Sequence, residues 1–148
     1  MAKSYFSIVL DNAADDVWAV IRPFDHYAWA GVESETIIEK DKAPDQVSAI
    51  RRVTMGETII RQILLAHSDV ERSYTYGFCD PVPFPVRNYT ATIRVTPVVE
   101  TGAAFVEWSA TFDCAEHDHD RWTSHFEKEG FAQWLTALRR FMNARKSV

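Results

Sequence analysis

Polar and apolar positions alternate from Ser4 to Leu10, which predicts a strand. Asp11 and Asn12 then offer caps for a short helix over Ala14 to Ile21, with Val17, Trp18 and Ile21 on one face. Pro23 stops that helix, and Phe24 to Trp29 reads as a second short helix or turn. Beyond this point the period changes to two. Six further strands are expected, over about 32–40, 47–55, 57–66, 71–79, 88–97 and 103–113. The breaks carry turn chemistry: Lys42-Ala43-Pro44-Asp45, Met55-Gly56, His67-Ser68-Asp69, Asp80 to Pro85, and Glu100-Thr101-Gly102. Breaks this short join antiparallel neighbours. After Phe112 the pattern becomes helical, from Asp120 to Ala144. Trp122, Phe126, Gly130, Trp134, Leu138 and Phe141 recur there at steps of three or four, widened by Phe131, Leu135 and Met142.

Such a helix is roughly 37 Å long, and a ten-residue strand spans about 33 Å, so the helix can lie across a whole sheet. The element order predicts an α+β chain: a curved seven-stranded antiparallel sheet wrapped around a long C-terminal helix, with two short helices after strand 1. Residues 1–148 are expected to form one domain. Gly130 leaves a gap in the helical stripe between Phe126 and Trp134, at a cost of about 1 kcal/mol relative to alanine. A gap there predicts a pocket between helix and sheet.

Strand alternation nominates the residues that face this pocket. They are Arg51, Val53 and Met55; Ile60, Gln62 and Leu64; Tyr74, Tyr76 and Phe78; Tyr89, Ala91 and Ile93; with Phe126, Gly130 and Trp134 from the helix. The expected cavity is lined by Tyr76, Tyr89, Phe126 and Trp134 and entered near Phe84 and Met55-Gly56. The set is apolar and aromatic with a few polar heads, which suits a hydrophobic or aromatic small molecule. Three tyrosines turned to one core each need a hydrogen-bond partner, which plain packing does not supply. Arg51 reads either as a bidentate partner for an oxyanion or carboxylate or as one half of a surface salt bridge.

Composition narrows the function classes. The aromatic share is 13% and the chain has five tryptophans, more than packing alone usually calls for. The net charge is −5 and the basic residues are scattered, so no stripe exists to bind a nucleic-acid backbone. No run reaches membrane-spanning length. Cys79 and Cys114 form no paired motif and suit reduced thiols, hence a cytoplasmic protein with no membrane partner. The acidic and histidine-rich run Cys114 to Asp120 lacks a second ligand cluster and sits where a helix N-terminus favours negative charge. No metal is expected, and no phosphate-cradling glycine motif calls for a cofactor. His26 and His67 are expected to be solvated.

The segment Pro85-Val86-Arg87-Asn88-Tyr89-Thr90-Ala91-Thr92-Ile93-Arg94-Val95-Thr96-Pro97 resembles a strand signature of the START-like (SRPBCC) superfamily, in its polyketide cyclase/dehydrase branch. Further similarities are Val17-Trp18 with Phe24-Asp25 and Trp29, Ile50-Arg51-Arg52-Val53, Val106-Glu107-Trp108-Ser109-Ala110, and Leu135-Thr136-Ala137-Leu138-Arg139. The resemblance implies a helix-grip fold with a deep cavity. It also implies relatives as different as polyketide cyclases, plant hormone receptors and lipid carriers. Gln62 stands where many such relatives carry a cavity-facing glutamate, and an amide cannot shuttle protons near neutrality. The resemblance leaves Glu107 as the acid nearest the pocket and thus the candidate catalytic residue; the other reading is an exposed strand residue beside a basic neighbour. The loop Cys79 to Pro85 borders the cavity mouth in relatives, with Phe84 either a lid or a staple onto the short helices.

Three functions follow as expectations. The first is binding or transport of a hydrophobic or aromatic small molecule. The second is a cofactor-independent cyclase or dehydratase using Glu107, Arg51 and the tyrosines. The third is a protein-interaction module with a vestigial cavity.

Overall fold

The computed structural model describes residues 1–31 and 34–146. Seven strands form one antiparallel sheet: β1 (Ala2–Leu10), β2 (Glu35–Ile38), β3 (Ile50–Met55), β4 (Thr58–Ser68), β5 (Ser73–Phe78), β6 (Arg87–Val98) and β7 (Ala103–Asp113). Their spatial order is β1-β7-β6-β5-β4-β3-β2. Five successive hairpins therefore run from β2 to β7, and β1 closes the far edge against β7 in full register from Ala2↔Phe112 to Leu10↔Ala104. The connection from β1 to β2 holds helix α1 (Ala14–Ile21) and a single 3₁₀ turn, Ala28–Ala30. The expected α+β helix-grip architecture is the one observed.

Local chemistry differs from the expectations at several points. Helix α1 starts after Ala13 without a side-chain cap, so Asp11 and Asn12 do not serve as one. The turn that follows it covers only three residues and ends on Gly31, whose φ of +74° suits a residue without Cβ and where an added Cβ would sit 3.0 Å from the Ala137 Cβ. The strand expected over 32–40 is shorter: 32 and 33 lie outside the described residues, and Glu39–Asp41 turns into a 3₁₀ segment with Lys40 at φ 58°. A register shift between Leu64 and Ala66 bulges β4 and increases the bend of the sheet around the helix.

The terminal helix is longer than Asp120 to Ala144 and is not uniform. A 3₁₀ turn (Glu116–Asp118) leads into α2 (His119–Ser124), then a π-helical stretch (His125–Phe131), then α3 (Ala132–Lys146). The wide π turn inserts one extra residue into the apolar repeat. The core stripe consequently runs Trp122, Phe126, Phe131, Leu135, Leu138 and Met142, all buried, while Trp134 and Phe141 swing to its margin. Ser4 anchors the start of this region by donating its hydroxyl to the Thr123 carbonyl at 2.9 Å.

One polar junction ties α1 to the sheet. Asp69, in the β4–β5 turn, accepts from Trp18 Nε1 (2.9 Å), from Arg22 Nε (2.9 Å) and Nη2 (3.0 Å), and lies 3.1 Å from His67 Nε2. His67 and His26 are thus engaged rather than solvated, His26 Nδ1 lying 2.8 Å from the Val20 carbonyl. The Arg22 hydrogen bonds, then that from Trp18, hold the Asp69 carboxyl well below the usual carboxylate range. A depressed value means stabilisation that is present above the unfolded carboxylate value of about 3.9 and is lost as pH falls through the folded one. The carboxylate is more than half exposed, which limits the effect. Asp69→Asn is expected to cost ~1 kcal/mol in urea unfolding at pH 7. The gap between variant and wild type should shrink at pH 3; a gap that does not change with pH would contradict the assignment.

Candidate functional site

A cavity of about 180 Å³ lies between the inner face of the sheet and the terminal helix, lined by Tyr27, Val53, Met55, Ile60, Gln62, Phe78, Phe84 and Trp134. Hairpin pairing builds its floor. Val53 lies opposite Ile60, Arg51 opposite Gln62, and Gln62 opposite Phe78, so alternate residues of three adjacent strands meet on one face. Phe84 comes from the β5–β6 loop. It packs on Phe78, Trp122, His125 and Phe126 with ring centroids 5.3–6.0 Å apart, joining the loop to the helix side of the cavity. Tyr27 arrives from the turn after α1, stacked on Trp29 at 5.6 Å and meeting Trp134 edge-on at 6.2 Å.

Trp134 accounts for the glycine in the helix. A Cβ on Gly130 would sit 3.3 Å from Trp134 Cη2, so the gap left by Gly130 is covered by the indole of the next turn. Gly130 itself does not line the cavity. The pocket expected from the glycine gap is present, but Trp134 forms the wall. The same indole also borders an outer, polar hollow of about 420 Å³ next to Ala30, Gly31, Gln133, Thr136, Ala137 and Arg140. Trp134 partitions the inner space from the outer.

Arg51 is fully buried, which removes the surface salt-bridge reading. Its Nε donates to Gln62 Oε1 at 2.7 Å and its Nη1 to the Phe24 carbonyl at 3.3 Å. The guanidinium carbon lies 4.2, 4.6 and 5.0 Å from the ring centres of Phe24, Tyr27 and Tyr76. Such aromatic contacts are each worth about 2 kcal/mol when desolvated, yet they leave the charge in place. Nη2 is buried without a hydrogen-bond partner, and so is Tyr74 Oη. Among the described residues no carboxylate pairs with Arg51. Tyr76 Oη accepts from Trp108 Nε1 at 3.1 Å. Burial raises the Tyr27, Tyr76 and Tyr89 hydroxyls above the ordinary phenol value, so each stays protonated at neutral pH and acts as a donor, not a base.

Of the residues nominated from sequence, Val53, Met55, Ile60, Gln62, Phe78, Phe84 and Trp134 share the cavity wall. Leu64, Tyr74, Tyr76, Tyr89, Ala91, Ile93 and Phe126 also turn inward, but into the packed core around it. Glu107 does not reach the cavity. Its neighbours Val106 and Trp108 are fully buried, so alternation sends Glu107 to the opposite face, where the Tyr5 hydroxyl donates to it at 3.4 Å. Among the described residues the cavity wall holds no carboxylate. Tyr27 was missed. Its signal is the Tyr27-Ala28-Trp29 spacing, two aromatics across a short turn where one would suffice to anchor it.

The chain matches the family described as polyketide cyclase / dehydrase and lipid transport over residues 1–146, and it belongs to that family. No curated protein sequence matches it. A solution NMR structure from Thermobifida fusca is 28% identical with a TM-score of 0.83, covering 94% of this chain and 91% of that one. Two structures at 14% identity share the fold. The di-domain ARO/CYC BexL has a TM-score of 0.79, covering 97% of this chain and 47% of that one. Norcoclaurine synthase from Thalictrum flavum, in complex with dopamine and hydroxybenzaldehyde, has a TM-score of 0.73, covering 96% and 86%.

Proposed function

We propose that the protein binds one compact, largely apolar molecule, about the size of a single aromatic ring, in the cavity between β3, β4, β5 and the terminal helix. The observation that carries this reading is the cavity itself: about 180 Å³, walled by aliphatic and aromatic side chains, with Gln62 as the amide among them. An apolar cavity of about 150 Å³ holds benzene, whereas drug-sized ligands occupy roughly 300–1,000 Å³. A folded aromatic polyketide exceeds this space, which weighs against a cyclase acting on one. Among the described residues the cavity also offers no acid and base for catalysis of the cyclase or dehydratase type, since Glu107 faces outward, Gln62 is an amide and the buried tyrosines stay protonated. Two unpaired thiols, Cys79 and Cys114, suit a carrier working in a reducing compartment such as the cytoplasm.

The test is a cavity-filling variant. Toluene is expected to raise the melting temperature of the wild type in proportion to ligand excess. Val53→Phe places a ring in the void at a cost of about 1–3 kcal/mol of overpacking, so the fold should survive. Toluene should then no longer shift its melting temperature. A folded Val53→Phe variant that still responds to toluene would place the binding elsewhere.

A further inference from the structure

We infer that the ligand is a carboxylate, a small apolar body bearing one anionic group, and that the buried Arg51 guanidinium behind Gln62 is its counter-charge; this rests on the cavity being the binding site. A cation in an apolar interior is costly unless it is paired and hydrogen-bonded. Arg51 has two of its donor directions used, by Gln62 Oε1 and the Phe24 carbonyl, and both acceptors are uncharged. The three rings around the guanidinium shield it from water and attract the cation, but none neutralises it. Nη2 remains as a buried donor with no partner. Two residues that line the cavity touch this same group: Gln62 by hydrogen bond and Tyr27 by ring contact. A ligand in the cavity therefore abuts the two side chains that hold the guanidinium, close enough for its charge to be felt there.

Tyr74 strengthens the assignment. Its hydroxyl is also buried without a partner, and its ring meets edge-on, at 5.6 Å, the Phe24 ring on which Arg51 lies. Two side chains that pack on one phenylalanine thus each carry a partnerless donor, a polar demand that the residues around them leave unmet. A neutral ligand of the same shape would leave the charge uncompensated. Charge-assisted hydrogen bonds to guanidinium are about twice as strong as neutral ones.

Gln62 gives a test that changes charge with little change in shape. Benzoate, its neutral isostere benzamide, and toluene are titrated calorimetrically into wild type, Gln62→Glu and Arg51→Met at neutral pH. The wild type is expected to bind benzoate roughly ten- to a hundredfold more tightly than benzamide. Gln62→Glu supplies an internal counter-ion to Arg51 and should abolish that preference while raising the melting temperature. Arg51→Met should reverse the preference in favour of the neutral ligands; if it fails to fold, the wild type and Gln62→Glu decide. Toluene binding with no advantage for benzoate in the wild type would overturn the carboxylate assignment and leave the cavity reading standing. Binding of none of the three would overturn the cavity reading and this inference with it. A benzoate preference unchanged in Gln62→Glu would show that the anion is received away from Arg51.

Discussion

Trp108→Ala is expected to cost about 4 kcal/mol and to lower the melting temperature by roughly 10–15 °C. Trp108 is fully buried at the centre of the grip. It stacks on Phe131 of the helix at 5.2 Å, meets Trp134 at 5.1 Å and Trp29 at 5.8 Å, and donates Nε1 to the Tyr76 hydroxyl. Sheet, helix and post-α1 turn thus meet on one side chain. Truncation would leave a cavity under three rigid rings, none of which can collapse into it without losing its other contacts. It would also leave the Tyr76 oxygen without its donor. Against a total of about 5–15 kcal/mol this is a large share. Trp108→Phe keeps most of the packing and should cost about 2 kcal/mol, chiefly through the lost hydrogen bond. Urea unfolding measures both. A loss under ~1 kcal/mol for the alanine variant would mean that helix and sheet are joined elsewhere.

The second large effect is on ligand size. Trp134 stands between the inner cavity and the outer hollow beside Ala30 and Arg140, and its indole covers Gly130. Trp134→Ala removes the partition and joins the two spaces. Stability should fall by about 3 kcal/mol, at the lower end for tryptophan because the side chain is only partly buried. Toluene should bind about tenfold more weakly, having lost one wall of its contacts, and naphthalene should change from a non-binder to a measurable ligand. Calorimetric titration of both compounds checks this. Retention of the single-ring limit in the alanine variant would show that another residue sets the size.

The fold was legible because strand alternation, hairpin turns and the helical stripe all point to one architecture. The inward faces of β3 to β6 followed from the same period of two, which brought Val53, Ile60, Gln62 and Phe78 together. What escaped has identifiable causes. The π turn is encoded by Phe126 and Phe131, five apart. A period of 3.6 reads through that spacing to Gly130 and Trp134 instead, so the glycine was credited with a void that the tryptophan covers. Glu107 was assigned to the pocket by likeness to relatives, although the alternation Val106, Trp108, Ala110, Phe112 within the same strand already sent it outward. Tyr27 lies in a turn, where no period applies. Arg51 was ambiguous for a different reason. An arginine on an inward face is most often a surface pair at a strand end, and only the three-dimensional gathering of Phe24, Tyr27 and Tyr76 makes its burial tolerable.

The central claim is that small apolar molecules enter the space between the sheet and the terminal helix, and a toluene titration followed through methyl ¹³C–¹H NMR signals tests it most directly. Val53, Met55 and Ile60 carry methyl groups on the cavity wall, while Val9, Val70 and Val99 carry theirs on exposed surface. The account predicts that the Val53, Met55 and Ile60 signals shift together along one saturable isotherm while those of Val9, Val70 and Val99 stay still. Saturable shifts confined to the exposed methyls, or no shift at Val53, Met55 and Ile60 at toluene saturation, would contradict it.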